Sequence, residues 1–328
     1  MMQIGLIGIG AGAAAALLFA SVTSGTLLSI PLFYLAPLPI MIAGLGWSHW
    51  SALIGAVAAS LALGAIFGGV FFFAFLAGAG IPAWWLVYLA MLARPADGTG
   101  LNGGAPASAA LEWYPPGRLV AWAAALAAIV VLVAIPNFGT DADSFRAGLS
   151  AALTRMMRAD GVAGEGSAVP GLTSTARLVD FLVSAIPLAA AVLATITNIF
   201  NLWLAARVVS FSGRLTRPWP ALSEISFPRL FPAALAVAIA LSFLDGMLGI
   251  VAGVVSASLL MAYGVLGFAV LHSITQGLNG RGFLLGGVYA SVLIFGWPVL
   301  ALCLLGLTET AFSLRARAAR KRGPPAPF

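Results

Sequence analysis

Long apolar runs, separated by short polar connections, dominate this chain. Nine apolar segments can be marked, at 3–21, 30–46, 50–67, 70–93, 118–136, 177–210, 230–247, 248–277 and 283–310. Many of them reach the ~17–25 residues that a helix needs to cross about 30 Å of hydrocarbon, where backbone hydrogen bonds have to be made within the segment. The pattern predicts an all-α fold, a polytopic helical membrane protein with about eight or nine apolar segments.

Two connections are longer than the others, a Gly/Ala/Pro-rich stretch at 95–117 and a polar stretch at 137–176. Neither is long enough for a separate domain, so we predict a single membrane domain over 1–312, followed by a basic, proline-containing tail over 313–328. Apolar positions within 137–176 recur at helical spacing, which predicts a short amphipathic helix. This helix either lies on the bilayer surface or packs over the mouth of the helix bundle. Its start resembles a capping box formed by Thr140 and Asp143.

The composition supports the membrane class, because 61% of the residues are hydrophobic and only 8% are charged, against about 25% charged in soluble domains. The formal net charge of +6 does not indicate nucleic acid here, since the arginines gather at segment ends and in a few loops, where they determine topology. The first apolar run has no Lys or Arg ahead of it, and we interpret it as a retained helix and not as a signal peptide.

The placement of arginines orients the segments. The loop 207–229 carries four arginines against one glutamate and is predicted to be cytoplasmic, whereas 137–176 carries four acidic residues against three arginines and is predicted to be external. Counting back places the N-terminus in the cytoplasm. The tail is basic as well, yet three apolar segments separate it from 207–229, and three crossings cannot join two points on one side. We therefore expect the short segment 230–247 to be re-entrant or partial, the alternative being an external tail.

Few residues of this sequence suggest catalysis or metal binding. The only lysine, Lys321, follows an arginine, so there is no phosphate-binding P-loop. The stretch GTGLNG at 98–103 matches the letters of the dinucleotide motif but lies in a Gly/Ala loop, not between a strand and a helix. His49 and His272 are far apart and Cys303 is the only cysteine, so the spacing of a metal site is absent. We expect no catalytic residue, no metal and no cofactor, and a protein that is not an enzyme.

Small residues form one stripe along the first segment. Gly8, Gly12, Ala16 and Ala20 repeat every four residues and would let another helix approach closely. The partner helix belongs either to this chain or to another protein.

His49 lies between Trp47 and Trp50, in the connection between two apolar segments. Tryptophan is enriched at the depth of the lipid headgroups. We therefore expect His49 to occupy a short turn at the membrane interface and to carry no function, so that its replacement by alanine would leave the abundance of the protein in the membrane unchanged.

Polar residues inside the apolar segments provide the candidate site. Thr195, Asn198 and Asn201 follow one another at steps of three, which keeps them on one helix face of about 120° that has to meet protein or a cavity. Such groups are costly in hydrocarbon and are functional hypotheses by default. Either the asparagines make interhelical hydrogen bonds, or Asn198 and Asn201, with Asp245 and His272, line a pocket for a small neutral or zwitterionic solute.

The segment that carries these asparagines, 177–210, would be about 51 Å long as a helix, which exceeds the bilayer core. Pro187 is therefore predicted to kink or break it.

Four stretches carry a resemblance to a known family: LPIMIAGLGWSHWSALIGA at 38–56, GIPAWWLVYLAMLAR at 80–94, EWYPPGRLVAW at 112–122 and LLGLTETAFSLRAR at 304–317. The chain resembles DUF2232, the YybS-like family of uncharacterised bacterial membrane proteins, over essentially its whole length. This resemblance implies a multi-pass protein of the bacterial inner membrane. In the last stretch Glu309, followed by Arg315 and Arg317, stands where the family generally has aspartate, and we interpret it as an end-of-helix anchor.

The family is in turn similar to the substrate-binding components of energy-coupling factor transporters, which capture vitamins or metals and rely on a partner complex for ATP. The stripe of small residues on the first segment then resembles the A-x-x-x-A contact that these components present to their coupling partner. The resemblance implies a small-solute binding or transport component, surrounded by lipid and served by an ATPase complex or another membrane protein. The alternative is a structural or assembly factor that docks other membrane proteins. Neither reading includes nucleic acid as a partner.

Overall fold

The computed structural model describes residues 2–95, 111–159, 175–221 and 225–322. The helices in chain order are α1 (Met2–Ala20), α2 (Ser29–Tyr34), α3 (Pro37–Gly46), α4 (His49–Phe67), α5 (Gly69–Phe75), α6 (Ile81–Ala90), α7 (Pro116–Ala134), α8 (Ala142–Ala159), α9 (Thr175–Phe211), α10 (Phe231–Ser242), α11 (Met247–Ile274), α12 (Arg281–Phe295), α13 (Val299–Phe312) and α14 (Leu314–Arg322). A π-helical turn, Leu76–Gly80, joins α5 to α6. The GTGLNG stretch, residues 160–174, Glu224 and the tail beyond Arg322 lie outside the described residues.

Seven helical stretches of the described chain are long and apolar enough to cross a membrane. They are Met2–Ser24, Ser29–Gly46, His49–Phe67, Gly69–Ala90, Pro116–Asn137, Arg177–Phe211 and Met247–Ile274. They correspond to the first six and the eighth of the predicted segments. The prediction of an all-α, multi-pass membrane protein is thereby confirmed, while the count of eight or nine segments is not.

The two remaining segments form shorter helices. Segment 230–247 contains α10, whose 12 residues extend only about 18 Å, less than the hydrocarbon thickness. Segment 283–310 is not one helix, because the chain leaves the helical conformation at Gly296, which has a φ of +71°, and Pro298 follows.

The chain divides into two compact units. The first unit contains Met1–Ala123 and Ile196–Phe227, and the second contains Ala124–Thr195 and Pro228–Phe328. The single membrane domain over 1–312 stays a prediction, and each unit is described by itself below.

In the first unit α1 packs closely on α4 through the predicted stripe. A Cβ at Gly8 would lie 2.8 Å from the carbonyl oxygen of Ser51, and a Cβ at Gly12 would lie 2.6 Å from that of Gly55. Gly8, Gly12 and Ala16 are buried, while Ala20 at the end of α1 is half-buried. Because the backbones approach this closely only without side chains, the stripe makes a helix contact inside the chain, which is one of the two alternatives given by the sequence.

A short antiparallel hairpin follows α6, and the sequence pattern did not predict it. Strand β1 (Ala93–Pro95) pairs with β2 (Leu111–Trp113), and Arg94 lies opposite Glu112. The two side chains form an exposed ion pair with an N–O distance of 2.8 Å. The hairpin places Tyr114 and the start of α7 next to the end of α6.

His49 is the first residue of α4 and follows the short connection formed by Trp47 and Ser48. The Ser48 hydroxyl accepts a hydrogen bond from the backbone N–H of Trp50 and caps the helix. The predicted connection is present at Trp47 and Ser48, but His49 itself begins α4, so its predicted position inside the turn is wrong. Its position at the membrane interface stays a prediction. The imidazole packs against the rings of Trp50 and Tyr88, with centroid distances of 4.9 and 5.3 Å.

In the second unit the amphipathic helix α8 packs on other helices of the chain. Phe145 and Leu149 are buried in one apolar cluster with Val183 of α9 and Val254 of α11. This contact satisfies the second of the two alternatives, packing over the helix bundle. On another contact, Gly148 lets the chain before α8 lie against this helix, because a Cβ there would overlap the backbone carbonyl of Phe138.

The start of α8 is capped one residue later than predicted. A carboxylate oxygen of Asp141 accepts the backbone N–H groups of Asp143 and Ser144, and the Ser144 hydroxyl donates to the other oxygen at 2.6 Å. The capping box of Thr140 and Asp143 is therefore wrong in register, because the carboxylate of Asp141 is the stronger acceptor for these donors. The hydrogen bonds from Ser144 lower the pKa of Asp141 below its ordinary value.

Helix α9 has 37 residues and continues through Pro187, so the predicted break is wrong. The other alternative, a kink at Pro187 within a continuous helix, stays a prediction. Proline has no N–H, and the carbonyl of Val183 therefore lacks its helical donor.

Helices α11 and α13 make the closest helix contact of the second unit. A Cβ at Gly267 would overlap the carbonyl of Leu302, and a Cβ at Gly306 would overlap the carbonyl of Tyr263. Helix α11 is accordingly well covered, with 72% of its most apolar 18-residue stretch buried.

Candidate functional site

The polar face of α9 is buried in protein, as predicted. Thr195, Asn198 and Asn201 are 0%, 5% and 1% exposed. The Thr195 hydroxyl donates to the carbonyl of Ala191 within its own helix, at 2.8 Å.

Both asparagines direct their amide N–H groups at backbone carbonyls of the first unit. Asn198 donates to Ala123 of α7 at 3.2 Å, and Asn201 donates to Tyr34 of α2 at 2.9 Å. Since Tyr34 is the last residue of α2, its carbonyl lacks a helical donor, and Asn201 supplies one. These interhelical bonds are the simpler of the two alternatives that the sequence left open.

Asp245 and His272 belong to the second unit. The expectation that Asp245 is a buried polar group is wrong, because its side chain is exposed in the turn between α10 and α11. His272 lies half-buried in the last turn of α11, with Nδ1 3.0 Å from the carbonyl oxygen of Phe268 and Nε2 3.4 Å from the hydroxyl of Tyr289. The four predicted pocket residues are thus divided between the units, Asn198 and Asn201 in one and Asp245 and His272 in the other, and a pocket made by all four stays a prediction.

A cavity of about 410 Å³ lies within the second unit, at Asp245. The first turn of α8, the middle of α9, the end of α10 and the start of α11 form its walls. Its polar lining consists of Arg146, Ser184, Ser242 and Asp245. His272 does not line it.

The sequence of α8 explains why Arg146 lies at this cavity. The cap at Asp141 fixes where the helix begins, and the neighbouring Phe145, only 3% exposed, anchors the first turn in the apolar cluster. The next side chain, Arg146, is exposed at the cavity. Its nearest carboxylate is that of Asp143, at 3.6 Å, which is too long for a hydrogen bond and solvated on both sides.

The turn from α10 to α11 carries Asp245, whose charge is opposite to that of Arg146, on the lining of the same cavity. Gly246 has a φ of +82°, a conformation that favours glycine, and a Cβ at Gly249 would overlap the carbonyl of Leu244. The turn is therefore tightly packed on the first turn of α11. Within the described part of the chain, the Asp245 carboxylate has no hydrogen-bond or ion-pair partner.

Pro187 removes a helical donor beside the cavity. Val183 and Pro187 both line it, and the Val183 carbonyl has no N–H four residues later to bond to. The Ser184 hydroxyl donates to the carbonyl of Asp180 at 3.2 Å. The lining thus combines one cation, one anion, hydroxyl groups and apolar side chains.

Asp245 and Pro187 were each predicted from the sequence to matter, for different reasons, whereas no role was predicted for Arg146, Ser184 or Ser242. The available signal was weak: an arginine at the start of an amphipathic helix, a proline within an apolar segment and an aspartate at the end of a short one. Nothing in the spacing showed that these three features meet.

Two further polar groups are structural. Arg217, only 3% exposed, donates to the carbonyls of Ala90 and Tyr114, each at 2.8 Å, and so closes the end of α6 and the hairpin of the first unit. In the second unit Glu309 accepts the side-chain and backbone N–H groups of Arg315, at 2.7 and 3.0 Å. This geometry is that of the predicted end-of-helix anchor.

Comparisons with protein-family models, with curated proteins and with solved structures find no match to this chain. The resemblance to DUF2232 and to energy-coupling factor components therefore stays a prediction. Among the described residues, no group of three or more His, Cys, Asp or Glu side chains is placed to hold a metal ion.

Proposed function

We propose that this chain is a small-solute binding component of a membrane transporter and that the cavity of the second unit is its solute site. The proposal rests on one observation: Arg146 and Asp245 both line one cavity, and neither has a strong partner within the described residues. Glu309 and Arg315, which support the fold, are largely buried and use their hydrogen bonds on each other. Arg146 and Asp245 are exposed and would keep their hydrogen bonds for a solute. A volume of about 410 Å³ is within the range of small-molecule sites.

The placement of arginines in the loops supports capture of the solute from outside the cell. The cavity is partly built by α8, which lies in the segment 137–176 that we predict to be external. A cavity there would open to the outside of a bacterial inner membrane. Because the sequence has no P-loop, transport would need an ATPase complex in trans, as in energy-coupling factor transporters, or an ion gradient.

Native mass spectrometry of the protein purified in mild detergent tests this proposal. We expect a retained small solute, and we expect Asp245→Asn and Arg146→Gln to release it. Arg158→Gln is the matched control, because Arg158 is exposed on the same helix and does not line the cavity.

A stoichiometric protein partner without any solute would instead favour the structural or assembly factor. If all three variants retain the solute equally, the solute binds elsewhere and not in this cavity.

A further inference from the structure

The cavity of the second unit presents charges of both signs to one small volume. Arg146 stands at the start of α8 and Asp245 in the α10–α11 turn. Within the described residues Asp245 has no partner, and Arg146 has only the long, solvated contact with Asp143 at 3.6 Å. We infer that the solute is a small zwitterion of the amino-acid class with an apolar side chain. This inference rests on the proposed function and specifies the substrate class of the same site.

The cationic end suits a carboxylate. A guanidinium presents parallel N–H donors that match the two oxygens of a carboxylate, and such charge-assisted bonds are about twice as strong as neutral ones. The 3.6 Å separation from Asp143 leaves these donors without a short hydrogen bond to that residue. The carboxylate of the solute would therefore bind Arg146.

The anionic end suits an ammonium group, which has three donors and no acceptor. Asp245 supplies a carboxylate, and Pro187 leaves the carbonyl of Val183 without its helical donor. The Ser242 hydroxyl donates to Ile239 at 2.7 Å, which leaves the lone pairs of its oxygen as acceptors. Asp245 and Ser242 thus bring acceptors to the lining that a cation can satisfy.

Much of the remaining lining is apolar. Phe145, Leu188 and Ile250 line the cavity, and Phe145 is buried in the apolar cluster under α8. An aliphatic or aromatic side chain would remove apolar surface from water here, whereas a polar side chain would lose hydration without gaining partners.

Solutes that lack one of the charges fit less well. A monoanion would leave Asp245 desolvated without a partner, and a monocation would do the same to Arg146, at a cost that follows from burying an unpaired charge. A divalent metal would find one carboxylate where it needs several oxygen ligands.

Three isosteric probes test the inference by calorimetry on the purified chain in mild detergent. L-leucine carries both charges, 4-methylpentanoate lacks the ammonium and 3-methylbutylamine lacks the carboxylate. We expect L-leucine to bind about 10- to 100-fold more tightly than either isostere, as the loss of a charged hydrogen bond implies. L-phenylalanine serves as a second zwitterion in case the walls favour an aromatic side chain.

Two variants assign each charge to its end of the solute. Asp245→Asn should weaken the binding of L-leucine without weakening that of 4-methylpentanoate, and Arg146→Gln should weaken the binding of L-leucine without weakening that of 3-methylbutylamine. Each variant removes the charge that the singly charged probe leaves unpaired. An unfolding curve for each variant shows that it is folded, and Asp245→Ser replaces Asp245→Asn if that variant is not. The comparison of the three probes on the unaltered chain needs no variant.

Equal binding of L-leucine and one isostere would overturn the inference. So would the absence of binding by both zwitterions. If a co-purified solute without one of the charges is still present in the second case, the proposed function stands and only the substrate class is wrong; if no solute is retained, the proposed function fails as well.

Discussion

The polar side chains of the first unit differ from those around the cavity of the second unit in where their hydrogen bonds go. Asn198, Asn201 and Arg217 are almost fully buried, and each donates to a backbone carbonyl. Arg146 and Asp245 are exposed at a cavity and lack such contacts. All of them are equally unusual in an apolar sequence, so rarity alone does not distinguish a structural group from a binding group.

The physical distinction is whether hydrogen-bonding capacity is used inside the protein. A buried donor that meets a carbonyl stabilises the fold, and removing it leaves the carbonyl unsatisfied. A charged group at a cavity keeps its capacity for a ligand and contributes little to folding. The following variants test this comparison, from the largest expected effect on stability to the smallest.

Arg217→Met should be the most destabilising change. It removes the donors that satisfy the carbonyls of Ala90 and Tyr114, and two unsatisfied buried groups cost about 2–5 kcal/mol together. Chemical or thermal unfolding in detergent measures the loss. Arg207→Met is the control, because Arg207 is exposed on α9, and its unfolding midpoint should change little. Equal losses in both variants would show that the effect comes from charge and not from burial.

Gly12→Ala tests the contact between α1 and α4. A Cβ there would lie 2.6 Å from the carbonyl oxygen of Gly55, so the helices would have to separate, at a cost of about 1–3 kcal/mol. Gly10→Ala is the matched control on the same helix, since nothing lies within 4 Å of a Cβ at that position. If the stripe served a partner protein and not α4, Gly12→Ala would leave the unfolding midpoint of the isolated chain unchanged.

How far the sequence predicts this molecule follows from the same comparison. The length of the apolar runs predicted the seven helical stretches that could span a membrane. The spacing of Thr195, Asn198 and Asn201 correctly predicted that these side chains face protein. Periodicity shows which face of a helix is buried, but not which element lies opposite it. The carbonyls that Asn198 and Asn201 meet, on α7 and α2, were therefore not predictable.

The cavity was less predictable than the helices. Arg146 and Asp245 are distant in sequence, and only the packing of α8 on α9 and α11 brings both to one lining. Two local details also differ from the sequence prediction. Asp141, and not Thr140, caps α8, and Gly296 ends α12 within an apolar run.

Asn201→Leu and Asn198→Leu should have moderate and unequal effects. Interhelical bonds in membranes contribute about 0.6 kcal/mol on average and up to about 1.7. Asn201 should be at the upper end, because the Tyr34 carbonyl that it satisfies is at a helix terminus, whereas Ala123 lies inside α7. The double variant should retain any co-purifying solute. Loss of solute with stability preserved would instead support the pocket predicted from all four polar residues.

Arg146→Gln and Asp245→Asn should have the smallest effect on stability of all these variants. Both side chains are exposed, and the one ion pair that they make within the described residues, from Arg146 to Asp143, is long and solvated. The unfolding midpoint without solute should therefore match that of the unaltered chain. With solute present, the unaltered chain should be stabilised and the variants should not, because a ligand stabilises only the state that binds it. Measuring both midpoints for each variant separates the two roles. A drop without solute as large as that of Arg217→Met would place these charges among the structural contacts, and the contrast between the two units would disappear.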